Sequence, residues 1–454
     1  MLIANSENQF AQFRKRLYHK HLNKRKNTQI HLIDALCSNT HKGSVVELCL
    51  NPVFPQGYSS LYKGVTDYQF IKGQMSLAEL AAPYLPSLWK GKFRLLGKDT
   101  TSCPRPYAFK LSERECIYKP TPIKGQKPIT YGHGYSLECA LAGKKGMYAP
   151  SWVNPLSCQR VSREDKEQSG IEQLRDLLEN PQLPFCHELC VEVGDTDYST
   201  PTYLGTLADI PNLIRIVRSR SNRVYDFPME PVETTKRGHA RWYTGKRMKL
   251  GDPSTWPEPT AALSLLKANR KGQTERVEVQ AWNNVVMRGK WKKAKLPMHK
   301  YPFTLVLIRI YNAKGELRYP DDPLWLIVMG QERQQLSLVD IYEAFYERGG
   351  MEHFFRFAKQ NLLLDKFQTC ETAHEENWWQ IVCLAYLQLW VAKEHAICLP
   401  RPWEKHLPQV KERHLSATMV QRSFAEIIQQ FEPLSRLTKP RNKSPGSLKG
   451  RVTV

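Results

Sequence analysis

Arg348, Glu352 and Lys359 stand in a stretch of helical periodicity from Asp340 to Lys359, and Glu352 and Lys359 lie two helical turns apart. That spacing projects both side chains from one side of a helix. Alone, it describes no more than a solvated helix face. It gains chemical meaning from two aspartates elsewhere. Asp99 follows the strand-like run Lys92–Gly97, and Asp195 follows Leu189–Val193 within Gly194-Asp195-Thr196-Asp197-Tyr198, where Asp197 competes with it. Three carboxylates without a thiolate or imidazole suit a hard cation, Mg²⁺ with Mn²⁺ as a substitute. Two such ions about 3.5–4 Å apart can activate a water or a 3′-hydroxyl and stabilise the leaving oxygen of a phosphodiester. Arg348 and Lys359 would hold the phosphate, since in-line phosphoryl transfer needs mainly positioning and charge neutralisation.

Charge points to the same class of substrate. Lys and Arg number 66 against 44 Asp and Glu, a formal charge of +22, with a pI near 9.5. Such an excess suits a polyanion, because each neutralised phosphate releases counterions. No apolar run reaches the length of a membrane span, and Met1–Asn8 lacks the pattern of a secretory signal, so no membrane partner and a cytoplasmic, nucleoid-associated location are expected. Eleven cysteines without paired spacing read as reduced thiols. Cys186-His187-Glu188-Leu189-Cys190 lacks the further ligands of a structural zinc site.

The elements that must bring these residues together follow in chain order. Residues 7–37 read as helical and carry the basic run from Arg14 to Lys26, either a solvated face or a DNA-contacting arm. A helix is expected over Ser76–Leu88, and strands over Lys92–Gly97, Gly134–Leu141 and Met147–Val161. An amphipathic helix over Glu164–Glu179, a strand at Leu189–Val193, a short helix from Pro201 to Leu207 and a strand at Asn212–Arg218 complete the series. Three strands, helix, strand, helix, strand is the order of a ribonuclease-H-like mixed α/β sheet flanked by helices. With the strands before Asp99 and Asp195 as neighbours, the two carboxylates come side by side. The closing helix is postponed by a Pro-rich, basic and β-patterned insertion, residues 221–330, with period-two runs at Arg276–Trp282, Phe303–Ile310 and Leu324–Met329. The organisation expected is a helical, basic DNA-binding region over 1–90, catalytic residues over 91–220 and 331–400, the insertion between them, a helical region over 401–437 and a disordered basic tail over 438–454.

In these residues the chain resembles bacterial insertion-sequence transposases of the DDE type with a Tyr-Arg-Glu-Lys signature. The resemblance runs over about residues 70–400 and rests on Arg348, Glu352 and Lys359, on Gly97-Lys98-Asp99 and Gly194–Tyr198, and on Gly132–Ser136, Pro155–Val161 and Phe354–Asp365. The family's Tyr lies three residues before the Arg, where this chain has Phe345, and Tyr346 follows one place late. The resemblance implies Asp99, Asp195 and Glu352 as catalytic metal ligands, Asp195 being preferred to Asp197 because an aromatic residue follows it. It further implies cut-and-paste transposition on double-stranded DNA: cleavage at terminal inverted repeats, strand transfer into target DNA, and a homodimeric synaptic complex. Tyr346, and Arg237 in the basic stretch Lys236–Arg247, join Arg348 and Lys359 as expected DNA contacts. Related enzymes stack an insertion Trp on an extruded base, for which Trp242, Trp282 and Trp291 are the candidates. A catalytically inactive DNA-binding relative is the alternative, with a repair or recombination nuclease behind it.

Overall fold

The computed structural model describes residues 2–40, 43–68, 74–119, 125–143, 150–229, 242–269, 272–287, 298–320, 323–396 and 415–435. Four helices open the chain: α1 (Leu2–Arg16), α2 (Lys26–Cys37), α3 (Tyr58–Thr66) and α4 (Leu77–Ala81). The helix expected over residues 7–37 is interrupted, since a π-helical turn at Leu17–His21 gives way to extended backbone at Leu22 and left-handed backbone at Arg25. Part of the basic run serves the fold. Arg14 is buried and bonds Asp34 at 2.5 Å and Gln388 at 3.0 Å, whereas Lys15, Lys24 and Arg25 stay exposed.

Next come β1 (Arg94–Pro104), β2 (Glu115–Tyr118), β3 (Ile129–Leu141), β4 (Val153–Val161), α5 (Lys166–Leu178), β5 (Cys190–Gly194), α6 (Pro201–Thr206) and β6 (Leu213–Ser219). β7 (Val224–Pro228) and β8 (Tyr243–Lys249) form a separate two-stranded sheet, and β9 (Ala261–Ala268), β10 (Thr274–Val285), β11 (Phe303–Tyr311) and β12 (Leu324–Met329) follow. The central sheet runs β2-β3-β1-β5-β6-β12-β11-β10-β9, and β4 pairs with β3. β1, β5 and β6 are parallel neighbours, as a sheet built by helical crossovers requires. The insertion strands β12 to β9 do not form an appendage. They extend the same sheet, with β12 antiparallel to β6 from Trp325↔Ser219 to Met329↔Arg215.

α7 (Leu338–Glu347) and α8 (Gly349–Asn361) then return to the sheet, followed by α9 (Thr372–Ala392) and α10 (Ala417–Gln429). α7 begins at a capping box in which Ser337 and Asp340 satisfy each other's backbone N–H groups. α9 is apolar around most of its circumference and is buried between the sheet and the N-terminal helices, with Trp379 stacked on Tyr135 of β3 at 3.8 Å. α5 packs on the opposite face, against β3 and β4. The result is a mixed α/β fold, a large sheet flanked by helices in the ribonuclease-H-like manner. The tail over 438–454 lies outside the described residues.

Candidate active site

The register of β1 against β5 positions the aspartates. Gly97 pairs with Val193, so continuing both strands by two residues sets Asp99 beside Asp195. β1 does not end there. Its pairing with β3 continues to Pro104↔Gly132, which leaves Asp99 mid-strand while β5 stops at Gly194. Asp99 accepts a hydrogen bond from the N–H of Thr100 at 2.8 Å, and Asp195 accepts one from that of Asp197 at 3.0 Å. Asp197 is exposed and ion-paired with Lys166 of α5.

Close approach of α8 supplies the remaining residues. A Cβ at Gly97 would lie 2.9 Å from Met351 Sδ and 3.0 Å from Leu141, and one at Gly350 would touch Ser151 and Val153 at 3.4 Å. Gly97 is therefore the tight point of that approach, while Gly349 faces open space and Gly350 has ordinary contact distance to spare; Arg348 between α7 and α8 keeps helical backbone. Arg348 bonds Asp99 Oδ2 at 3.2 Å and Glu352 Oε1 at 3.3 Å, bridging the sheet to the first turn of α8. Two turns on, Lys359 donates to Thr101 Oγ1 at 2.8 Å and to the carbonyl of Ser102 at 2.9 Å.

Burial pushes the Asp99 carboxyl up to about 6, and the neighbouring Asp195 adds to the shift that Arg348 opposes. Burial raises Asp195 as well, with Asp197 reinforcing it and Lys166 and Arg348 opposing. Burial lowers Lys359. Two adjacent carboxyls that resist ionisation form a site short of positive charge, and an all-oxygen donor set suits a hard cation. Among the described residues no three His, Cys, Asp or Glu side chains are gathered closely enough to hold an ion, because Glu352 is exposed and held by Arg348.

A cleft of about 480 Å³ opens beside Glu352, walled by the insertion strands and α7, with Arg218, Arg309, Tyr319, Tyr346 and Arg348 in its lining. Tyr346 is partly exposed there and packs on Tyr342 at 4.8 Å between ring centroids, while Phe345 is buried. Trp282 is 3 % exposed, packed against Trp256 and Trp325, with its indole N–H on the carbonyl of Pro257, and it presents no face to a ligand. Trp242 is half exposed and stacked on His299 at 4.1 Å. Arg237 and Trp291 lie outside the described residues.

Sequence reasoning missed Arg218, Arg309 and Tyr319, and it also missed a charged layer behind the site. Lys98, Glu138, Glu192 and Arg215 are all fully buried on four neighbouring strands, alternating in sign across β3, β1, β5 and β6. Lys98 Nζ bonds Glu138 at 3.0 Å and Gln173 at 3.2 Å, and Tyr203 donates to Glu192. Single charges inside the apolar runs Leu137–Cys139, Val191–Val193 and Ile214–Ile216 are the signal that marks three of them.

The family model for DDE superfamily endonucleases matches residues 17–285, more than half of the chain. The chain belongs to this family. The match spans Asp99 and Asp195, stops short of Glu352, and supports a DDE endonuclease of transposase or nuclease type acting on DNA. No curated protein matches the chain. No helix among the described residues of this DDE endonuclease is long and apolar enough to cross a membrane.

Proposed function

We propose that this DDE endonuclease is a cut-and-paste transposase that cleaves DNA at the ends of an insertion sequence and joins those ends to target DNA. The observation that carries the reading is Arg348, which ties Asp99 on the sheet to Glu352 on α8 beside Asp195. Asp99, Asp195 and Glu352 would hold two Mg²⁺ ions, supplying activation of the attacking oxygen and stabilisation of the leaving one. Arg348 contacts both Asp99 and Glu352; released from them, its guanidinium is placed to take a phosphate in bidentate fashion. Lys359, fixed to β1, sets the line of the backbone past the reacting phosphate. The aromatic and basic cleft beside Glu352 fits a base displaced from the helix, with Tyr346 and Tyr319 as exposed rings in its lining. Joining two ends calls for two active sites, so the protein acts as a homodimer.

The test uses DNA carrying the repeats that flank the gene. Purified protein cleaves it with Mg²⁺ or Mn²⁺, and Asp99→Asn, Asp195→Asn and Glu352→Gln each abolish cleavage while end binding persists. Cleavage by all three variants would overturn the assignment. Cleavage lost in the two Asp variants but kept in Glu352→Gln would remove Glu352 from the site.

A further inference from the structure

Of the fourteen large apolar residues exposed among the described residues, five fall between Tyr107 and Tyr131: Tyr107, Phe109, Tyr118, Ile129 and Tyr131. This concentration has a definite geometry. In the β2–β3 pair Tyr118 faces Ile129 and Cys116 faces Tyr131, so by strand alternation these four share one face while Ile117 turns inward and is buried. Tyr118 and Tyr131 are diagonal neighbours, about 7–8 Å apart at the backbone. They are 62 % and 61 % exposed, and Ile129 is 53 % exposed. A large, flat aromatic face on an edge hairpin is a liability unless something covers it.

We propose that this face is a stacking platform for unpaired DNA bases, an inference that rests on the proposed function and adds a second DNA site to it. Three observations select this occupant. Exposed cations flank these residues along the chain, Lys110, Lys119 and Lys127, and Arg114 lies over the Phe109 ring at 5.5 Å. The segment's two described carboxylates are already engaged, Glu113 with Arg160 at 2.5 Å and Glu115, which alternates onto the other face, with the N–H of Arg163 at 3.0 Å. That balance suits a phosphate backbone and disfavours a second copy of a chain whose net charge is +22. The third observation is position. β3 residues 131, 133, 135 and 137 share a side, and Leu137 pairs with Asp99 and Tyr135 with Thr101, so the platform lies on the catalytic face of the sheet. It begins six residues, about 20 Å, from Asp99, past the point where Lys359 grips Thr101 and Ser102. Aromatic rings on an open sheet face hold one splayed base each, with little sequence preference. A strand separated at the cut site and led past Lys359 arrives there.

Binding of labelled oligothymidylate and of a mixed-sequence duplex to the full-length protein, measured by fluorescence anisotropy in EDTA, tests this. Tyr118→Ala and Tyr131→Ala should each weaken oligothymidylate binding about 5- to 100-fold, Tyr131→Trp should keep it, and duplex affinity should change less than about twofold. The variants should melt with the parent, because both rings are exposed. Equal losses on duplex and single strand, or no loss on either, would overturn the platform. So would sedimentation showing a dimer that the two Ala variants dissociate, which would assign the face to a second copy. Asp99→Asn separates the two readings, since it removes cleavage under the proposed function and leaves oligothymidylate binding unchanged. Cleavage with no effect of the Tyr variants fails the platform alone, and platform binding without cleavage by the parent protein fails the proposed function alone.

Discussion

Replacing Lys98 by Met tests whether the buried charged layer is held by charge or by shape. Lys98 and Glu138 are both inaccessible to solvent and touch at 3.0 Å, with Glu192 close behind on the next strand. Met fills nearly the same volume, so packing is kept and the cation is lost. Removing one partner from a buried pair costs about 3–5 kcal/mol, because the survivor is left charged and unsolvated. The survivor here can escape by taking a proton. Burial already pushes Glu138 well above the usual carboxylate range, with Lys98 opposing and Glu192 adding, and burial raises Glu192 too. A carboxyl whose folded-state value is raised contributes stability that is full below its ordinary value and is lost as pH rises through the folded value. Lys98→Met raises both carboxyls further, so its cost grows with pH once Glu138 of the parent ionises, near pH 8: about 3–5 kcal/mol at pH 10 and less than about half of that at pH 5. Glu138→Gln in the same chain removes the orphaned charge, and the double variant should recover most of the pH-dependent loss. Urea unfolding of the parent, both single variants and the double variant at the two pH values reads the cycle. A Lys98→Met penalty equal at pH 5 and pH 10, or one that Glu138→Gln does not reduce at pH 10, would refute the reasoning and leave packing as the cause.

Two further outcomes follow from contacts around α7 and α8. Gly97→Ala puts a Cβ 2.9 Å from Met351 Sδ and 3.0 Å from Leu141, an overpacking cost of about 1–3 kcal/mol. It should lower thermal stability and cleavage more than DNA binding, and Met351→Ala should recover part of both; unchanged melting would mean that close approach does not set α8. Asp340 is buried, which alone would raise it, yet hydrogen bonds from Ser337, Lys92 and Lys90 hold its carboxyl at about 2. That contribution is present above the ordinary Asp value and fades as pH falls through about 2. Asp340→Asn should therefore cost about 2 kcal/mol at pH 7 and under about 1 kcal/mol at pH 2.5 by urea unfolding.

Local patterning shows the order of strands and helices and the three carboxylates, because alternation and helical period are properties of short segments. What it hides is long-range. β1 continues through Asp99 to Pro104 although Lys98-Asp-Thr-Thr-Ser-Cys-Pro104 carries no apolar alternation, since its partner is β3, thirty to forty residues on. Lys98 reads as a solvated turn residue until Glu138 is known to face it. Trp242 and Trp282 look alike in sequence, both in strand-like surroundings near basic residues, and only the fold shows that Trp256 and Trp325 close over Trp282. Gly97 reads as an ordinary strand glycine, and only the fold shows Met351, some two hundred and fifty residues later, 2.9 Å from where its Cβ would lie.

The insertion changes how the third acidic residue is understood. Read along the chain, residues 221–330 postpone the closing helix. In space they build the surface on which it starts. β12 pairs with β6, the strand next to the one that delivers Asp195, and Gly330 ends β12 with φ +156°, where a Cβ would lie 2.3 Å from the Leu213 carbonyl. Only glycine permits that crossing of β12 over the start of β6. Ser337 caps α7 a few residues later, α7 packs on β5, β6 and β10, and Arg348 follows directly. Glu352 is therefore placed by the last strand of the insertion as much as by the catalytic strands. The same strands wall the cleft beside it through Ile308, Arg309 and Leu324. A deletion that removed the insertion would thus take away the base of α7 together with any DNA-binding surface, and carboxylate geometry and substrate contact would fail as one.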